Sequence, residues 1–147
     1  MVKNFQRIGL ITGDPRLPDP TKRNAQYNEE DAVTRDAMKA AFQALPGYNF
    51  LFYDDHTLLF EQLQRDRPDL IVNFCDTGFR NVPTQELNIP AYLEMLEIPY
   101  TGAPPSAMVL CFDKAIVRLV AQSHGVAVPQ ESFTGSEISL EDFPDLY

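Results

Sequence analysis

Short apolar runs alternate with amphipathic segments along most of the chain. Three apolar runs, at residues 7–12, 48–55 and 69–74, adjoin Gly, Pro or Asp and predict strands. Apolar residues at helical spacing then predict helices at 29–45, at 58–66, around Tyr92 and after Asp113. Strands and helices in alternation are typical of a parallel sheet with helices on both faces, so the pattern predicts an α/β fold.

The first long helix has one apolar and one polar side. The apolar side is predicted to face the core and the polar side to face solvent. The predicted core side consists of Val33, Ala37, Met38, Ala41, Phe42 and Leu45, and the predicted solvent side of Arg35, Asp36, Lys39 and Gln43.

Composition narrows the class of protein. The 147 residues fit one domain, and the net charge of −9 argues against a nucleic-acid or anionic-membrane partner, since such partners are bound through clustered Lys and Arg. The sequence has no run of about 18 apolar residues and no signal-like stretch, and it has two cysteines, which together predict a cytoplasmic protein with reduced thiols. No metal site is predicted, because Cys75 and Cys111 have no histidine or cysteine at ligand spacing.

Ligands of parallel sheets bind beyond the carboxyl ends of the strands, which directs attention to the loops after Thr12, Phe74 and Tyr100. The first loop has one glycine, Gly13, where a dinucleotide fold would carry three, and this argues against NAD or FAD. The second loop, residues 76–81, holds an acid, a hydroxyl, a glycine and an arginine. It is either a small-molecule site or an ordinary polar turn.

Two further charged residues have alternative interpretations. Glu86 either borders a site or caps the helix that follows it. Lys114 follows Asp113, the predicted N-cap, and stands at the positively polarised end of a helix. It is either a solvated lysine paired with Asp113 or Glu94, or a ligand of an anion such as a nucleotide phosphate. No nucleophile motif is present, so the sequence gives no support for catalysis by this chain alone.

A resemblance rests on the second half of the sequence. The motifs are "NF" at residues 73–74, the loop with Gly78 and Arg80, "E...PA.LE.L.IPYTG" from Glu86 to Gly102, and "DK" at residues 113–114. At this spacing they resemble the N-terminal domain of D-alanine:D-alanine ligases and related carboxylate-amine ligases of the ATP-grasp superfamily. The match extends from Asp69 to Pro129.

The resemblance implies a fold and a set of roles. The fold is a Rossmann-like, three-layer αβα domain with a mostly parallel sheet of about four to five strands. The domain would occupy residues 1–129, and residues 130–147 would connect it to a missing ATP-grasp domain of the same chain. Lys114 would lie at the ATP phosphates, and Gly78, Arg80 and Glu86 would border the substrates, a small carboxylate and an amine. The complete enzyme would use ATP and Mg²⁺ and form an acyl phosphate, and a homodimer is compatible with the family.

The sequence also departs from the family. The loop after the first strand reads Gly13-Asp14-Pro15 in place of "GG.S.E", and Asp76-Thr77 stand where many relatives have Glu-Gly, so the substrate need not be D-alanine. Relatives continue into the ATP-binding and metal-binding segments. The expectation is therefore one domain of a longer enzyme, inactive alone and with no cofactor bound. The alternatives are a stand-alone binding or regulatory module and a flavodoxin-like nucleotide binder or phosphoryl acceptor.

Overall fold

The computed structural model describes residues 5–129. It divides into two compact units, Met1–Phe112 and Asp113–Tyr147. The elements of the first unit are β1 (Arg7–Ile11), α1 (Glu29–Gln43), β2 (Asn49–Tyr53), α2 (Leu59–Asp66), β3 (Leu70–Asn73), α3 (Asn88–Met95) and α4 (Pro105–Phe112), and the second unit contains α5 (Lys114–Ser123). The predicted connector at residues 130–147 lies outside the described residues, so the predicted boundary at residue 129 stays a prediction.

The sheet is parallel, as predicted, with strand order β2-β1-β3. In the described residues it has three strands rather than four to five. The apolar segment at Tyr100 adds a single parallel bridge to Ile71 and no further strand. Its backbone nevertheless continues the ladder, since Ile71 N donates to Pro99 O and Thr101 N donates to Ile71 O.

Helices lie on both faces of the sheet, which confirms the predicted three-layer α/β fold. The alternation of side chains along a strand sends Ile11, Tyr53 and Ile71 to one face, where they form the main core with Leu63 of α2 and Leu93 of α3. Phe50 and Phe52 face the other side, where the Phe50 ring contacts Phe42 of α1, with centroids 5.4 Å apart. β1 is central and is buried from Ile8 to Ile11 because it has a neighbour on either side.

The predicted orientation of α1 is right for Phe42, which packs on the sheet, and wrong at the two ends of the helix. Val33 and Leu45 of the predicted core side are 64% and 48% exposed. Lys39 of the predicted solvent side is turned to the protein instead, with its Nζ 2.8 Å from Asp54 Oδ2 and 5.5 Å from the centre of the Phe52 ring. Lysine can cover apolar surface with its stem while its ammonium group is paired, so the polar side of this helix also packs on the sheet.

One helix was not predicted. Between the apolar segment at Tyr100 and the helix predicted after Asp113, Pro105 begins α4. Proline is favoured in the first helical turn, where the missing N–H would have no partner. No helix among residues 5–129 is long and apolar enough to cross a membrane.

Candidate functional site

The crossovers of the sheet place a crevice between β1 and β3. The chain leaves β1 for α1 on one face and leaves β3 for α3 on the opposite face, so the loops after these neighbouring strands diverge. Such a switch in direction is where open α/β sheets bind their ligands. The structure thus has two of the predicted loops, those after Thr12 and Phe74, side by side.

A pocket of about 470 Å³ occupies this crevice, and we call it the switch-point pocket. Its floor is the close approach of the two loops: a Cβ on Gly13 would come within 2.2 Å of Tyr27 Oη and 2.7 Å of Thr77 Oγ1. A larger residue at position 13 would therefore displace the Tyr27 and Thr77 side chains from this floor. Burial raises the pKa of Tyr27 to about 12, with the nearby Asp19 carboxylate adding to the shift, so Tyr27 is a neutral phenol at physiological pH. The other residues that line the switch-point pocket include Lys22, Arg35, Met38, Phe74, Asp76 and Thr77.

A second pocket of about 390 Å³ adjoins the first across Phe74 and Asp76. It lies between the end of β3, the turn at Thr101 and Gly102, and α4. Glu86 lines it, and burial together with the charge of Asp76 raises the pKa of the Glu86 carboxyl. Glu86 does not cap the next helix, because α3 begins without a side-chain cap.

Gly78 and Arg80 of the first unit are not among the residues that line these two pockets. Gly78 is buried with a φ of 83°, and its carbonyl accepts hydrogen bonds from Asn81 N at 3.0 Å and from Cys75 Sγ at 3.3 Å. Arg80 is exposed and also left-handed, with a φ of 58°. In the second unit, Asp113 caps α5 as predicted by accepting from Ile116 N, while Lys114 is exposed and makes no ion pair among residues 113–129.

A buried polar cluster joins the two loops, and the sequence did not predict it. Asp14 is 1% exposed, and its Oδ2 accepts from His56 N at 2.9 Å. Asn81 accepts from Asp14 N at 2.9 Å and donates to Asp14 O at 2.7 Å. Residues 42 to 67 positions apart thus meet here, and single-sequence spacing carries no signal for such contacts.

His56 and Cys75 also meet, with Cys75 Sγ 3.9 Å from His56 Nε2. The pair is not an activated nucleophile. Nε2 lies 2.8 Å from Thr12 O, which can only accept, and Nδ1 accepts from Arg80 N at 2.7 Å, so both ring nitrogens are occupied. Burial raises the pKa of the Cys75 thiol to about 11, which leaves it protonated at neutral pH.

Comparison with known proteins bears on the function of this crevice. No family model matches the chain. A D-alanine–D-alanine ligase of Carboxydothermus hydrogenoformans is 24% identical over 123 residues, covering 84% of this chain and 35% of that protein. The crystal structure of D-alanine–D-alanine ligase from Bacillus anthracis complexed with ATP matches with a TM-score of 0.61 and 18% identity, over 96% of this chain and 43% of that one.

The chain is similar to D-alanine–D-alanine ligases. This confirms the resemblance to that family and the predicted domain fold. The chain spans less than half the length of either ligase. Both of these similar proteins are enzymes, and one of them binds ATP in its crystal structure.

His56, in the buried polar cluster that joins the two loops, leads us to expect that the stability of the protein depends on pH. Burial lowers the pKa of His56 below 6.5, and protonation would also remove the acceptor for Arg80 N. The unfolded chain therefore binds the proton more tightly. We expect the His56 contribution to be complete above pH 6.5 and to be lost as pH falls below it, by at most about 1.4 kcal/mol per pH unit.

Urea unfolding between pH 7.5 and about pH 5 measures this loss. In the variant His56→Gln the pH slope in this window should flatten, whereas His124→Gln, which changes an exposed ring, should keep the slope of the wild type. Equal slopes in wild type and His56→Gln would contradict the prediction.

Proposed function

We propose that this chain is the N-terminal domain of a cytoplasmic, ATP-dependent ligase that joins a small carboxylate to an amine. The similarity to two D-alanine–D-alanine ligases, one of them in complex with ATP, carries the proposal. The position of the switch-point pocket supports it, because this is where parallel α/β sheets bind small molecules.

The proposed reaction has two steps. The γ-phosphoryl group of ATP is transferred to a carboxylate oxygen, which gives an acyl phosphate and ADP. The amine nitrogen then attacks the acyl carbon, an amide bond forms, and inorganic phosphate leaves. Gly78, Arg80 and Glu86 would border the substrates in this scheme. Glu86 lines the second pocket, and its raised pKa reflects burial next to Asp76.

Lys114 is proposed to contact ATP. An exposed ammonium group at the N-terminus of a ten-residue helix, with no ion pair among residues 113–129, has the chemistry that phosphate oxygens require. ATP would supply the phosphoryl group that activates the carboxylate. Among residues 5–129 no group of three or more acidic, His or Cys side chains is placed to hold a metal, so Mg²⁺ would be held by other residues.

The proposal is tested with the protein encoded by the complete reading frame that contains this chain. We expect phosphate release from ATP that depends on an added amino acid, with amide formation detected by mass spectrometry. A reading frame that stops at Tyr147, together with no ATP-dependent phosphate release, would instead support a stand-alone binding or regulatory module. Micromolar ATP binding by the 147 residues alone would contradict the part of the proposal that makes them an incomplete site.

The variant Lys114→Ala tests the ATP contact in the same protein. Loss of a charge-assisted hydrogen bond to phosphate should raise the apparent KM for ATP by about tenfold or more. Arg23→Ala, which removes an exposed cation from the first unit, is the control and should leave this KM unchanged. Unchanged circular dichroism would show that the fold is intact, and an unchanged KM in Lys114→Ala would count against the assignment.

A further inference from the structure

Arg35 stands out among the cations that line the switch-point pocket. Its side chain is 25% exposed, and its Nε is buried without a hydrogen-bond partner in the part of the chain that the structure describes. Its ion-pair contact there is Asp36 Oδ1 at 3.8 Å, which is too long for a hydrogen bond, and the Asp36 side chain is 71% exposed. A buried guanidinium nitrogen that gives up water without gaining a hydrogen-bond partner is destabilising.

Two cations of the loop between β1 and α1, Lys22 and Arg16, have partners. Lys22 Nζ lies 2.7 Å from Asp31 Oδ1 and also stacks over the Tyr27 ring at 5.0 Å from its centre. Arg16 Nε lies 3.0 Å from Asp14 Oδ1, and Arg16 Nη2 lies 3.2 Å from Asp54 Oδ1. Of the two cations that line the switch-point pocket, Lys22 is thus paired, whereas Arg35 has a buried Nε without a hydrogen-bond partner. The sequence pattern had placed Arg35 on the solvent side of its helix.

We infer that Arg35 is a specificity-determining residue of the switch-point pocket, where its guanidinium group binds the carboxylate of a small-molecule ligand. The planar fork of arginine donors matches the two oxygens of a carboxylate. The pocket is also lined by Lys22 and by the carboxylates of Glu30, Asp31 and Asp76, so its formal net charge is −1. That charge disfavours a dianion such as phosphate and leaves a monocarboxylate as the better partner.

The inference rests on the proposed function only for the identity of the ligand as a ligase substrate. Carboxylate binding by this pocket needs neither ATP nor turnover. A chain that binds a carboxylate through Arg35 while the complete protein shows no ligase activity would overturn the proposed function alone. An active ligase with no Arg35-dependent binding would overturn this inference alone.

The test uses nuclear magnetic resonance titrations of the chain with propanoate, propanamide and inorganic phosphate. Propanamide is the uncharged counterpart of propanoate and has nearly the same size. We expect propanoate to shift the amide signals of Gly13 and Thr77, propanamide to leave them in place, and phosphate to bind more weakly than propanoate. Arg35→Gln should weaken propanoate binding by about tenfold to a hundredfold, and Arg23→Gln should leave it unchanged. Equal propanoate affinity in wild type and Arg35→Gln would overturn the inference.

A second measurement separates a binding role from a structural one. Because Arg35 Nε is buried without a hydrogen-bond partner, Arg35→Met should leave the Tm unchanged or raise it while abolishing propanoate binding. Arg16→Met removes a paired guanidinium and should lower the Tm. A Tm loss in Arg35→Met as large as that in Arg16→Met would show that Arg35 serves the fold, and would overturn the inference.

Discussion

Replacing Gly78 with alanine is expected to lower the free energy of unfolding by about 2 to 6 kcal/mol. Gly78 has a φ of 83° and a ψ of 165°, a region that residues with a Cβ rarely adopt. A Cβ there would lie 2.1 Å from Val82 O and 3.1 Å from Glu86 N. Both contacts are to backbone, so no side chain can rotate away and the loop itself would have to move.

The variant Gly47→Ala is a matched control for this experiment. Gly47 has nearly the same φ, 85°, but nothing lies within 4 Å of its Cβ position. It should therefore show the backbone strain alone, about 1 to 2 kcal/mol. Urea unfolding followed by circular dichroism measures both variants. If Gly78→Ala lost no more stability than Gly47→Ala, crowding in the loop after β3 would not contribute to the loss in the free energy of unfolding, and the prediction would be wrong.

The same glycine illustrates what sequence patterns can and cannot predict. Gly78 was selected by its place in a motif, and the structure gives it a conformational role that the motif does not state. The strand runs were predictable because a buried parallel strand is a short, nearly continuous apolar segment: β1, β2 and β3 all lie within the predicted runs. The start of β1 coincides with the prediction, and the other ends differ by one or two residues because backbone pairing covers less of the chain than the apolar pattern does.

Which side of a helix is buried was harder to predict. Periodicity shows that α1 has an apolar side, but not whether a second element covers it. Val33 and Leu45 remain exposed, whereas Lys39 is held by Asp54, which lies 15 positions away in sequence. A long-range ion pair of this kind has no local signature. The predicted fourth strand is absent from the described residues for a related reason. The apolar segment at Tyr100 makes one bridge to Ile71, and the chain then turns at Gly102.

The candidate site was predictable in position and only in part in composition: Asp76 and Thr77 of the predicted loop line the switch-point pocket, together with side chains that were not predicted. The strand order and the crossovers determine which loops meet, and alternating strands and helices predict such an edge. The side chains that fill the crevice, Arg35 and Tyr27 among them, come from α1 and from the long loop before it. Their contribution depends on how that loop folds back on Gly13. The conformation of that loop depends on three-dimensional contacts with Asn81 and Thr77, and the spacing of residues in the sequence does not indicate these contacts.

Replacing Asn81 with alanine is the second change expected to have a large effect. The Asn81 side chain is 1% exposed and joins the two loops of the crevice. Its Oδ1 accepts from Asp14 N, and its Nδ2 donates to Asp14 O at 2.7 Å and, at 3.3 Å, to Leu17 O and Pro18 O. Alanine would leave the buried Asp14 N–H and carbonyl without these partners, at about 1 to 3 kcal/mol for each group. We expect a loss of about 3 to 5 kcal/mol in the free energy of unfolding.

Asn81 also has a left-handed backbone, with a φ of 58°, so part of any loss in Asn81→Ala would come from strain. Asn24→Ala isolates that part, because Asn24 has a φ of 57° and is exposed. The difference in unfolding free energy between the two variants gives the contribution of the hydrogen bonds.

Hydrogen exchange shows which part of the structure is affected. In Asn81→Ala the amides of Asp14 and Leu17 should exchange faster relative to those of α2. The loop after β1 loses its contacts to Asn81, while the main core with α2 stays packed. Equal stability losses in Asn81→Ala and Asn24→Ala, with unchanged exchange at Asp14, would contradict the role of Asn81 in holding the crevice together.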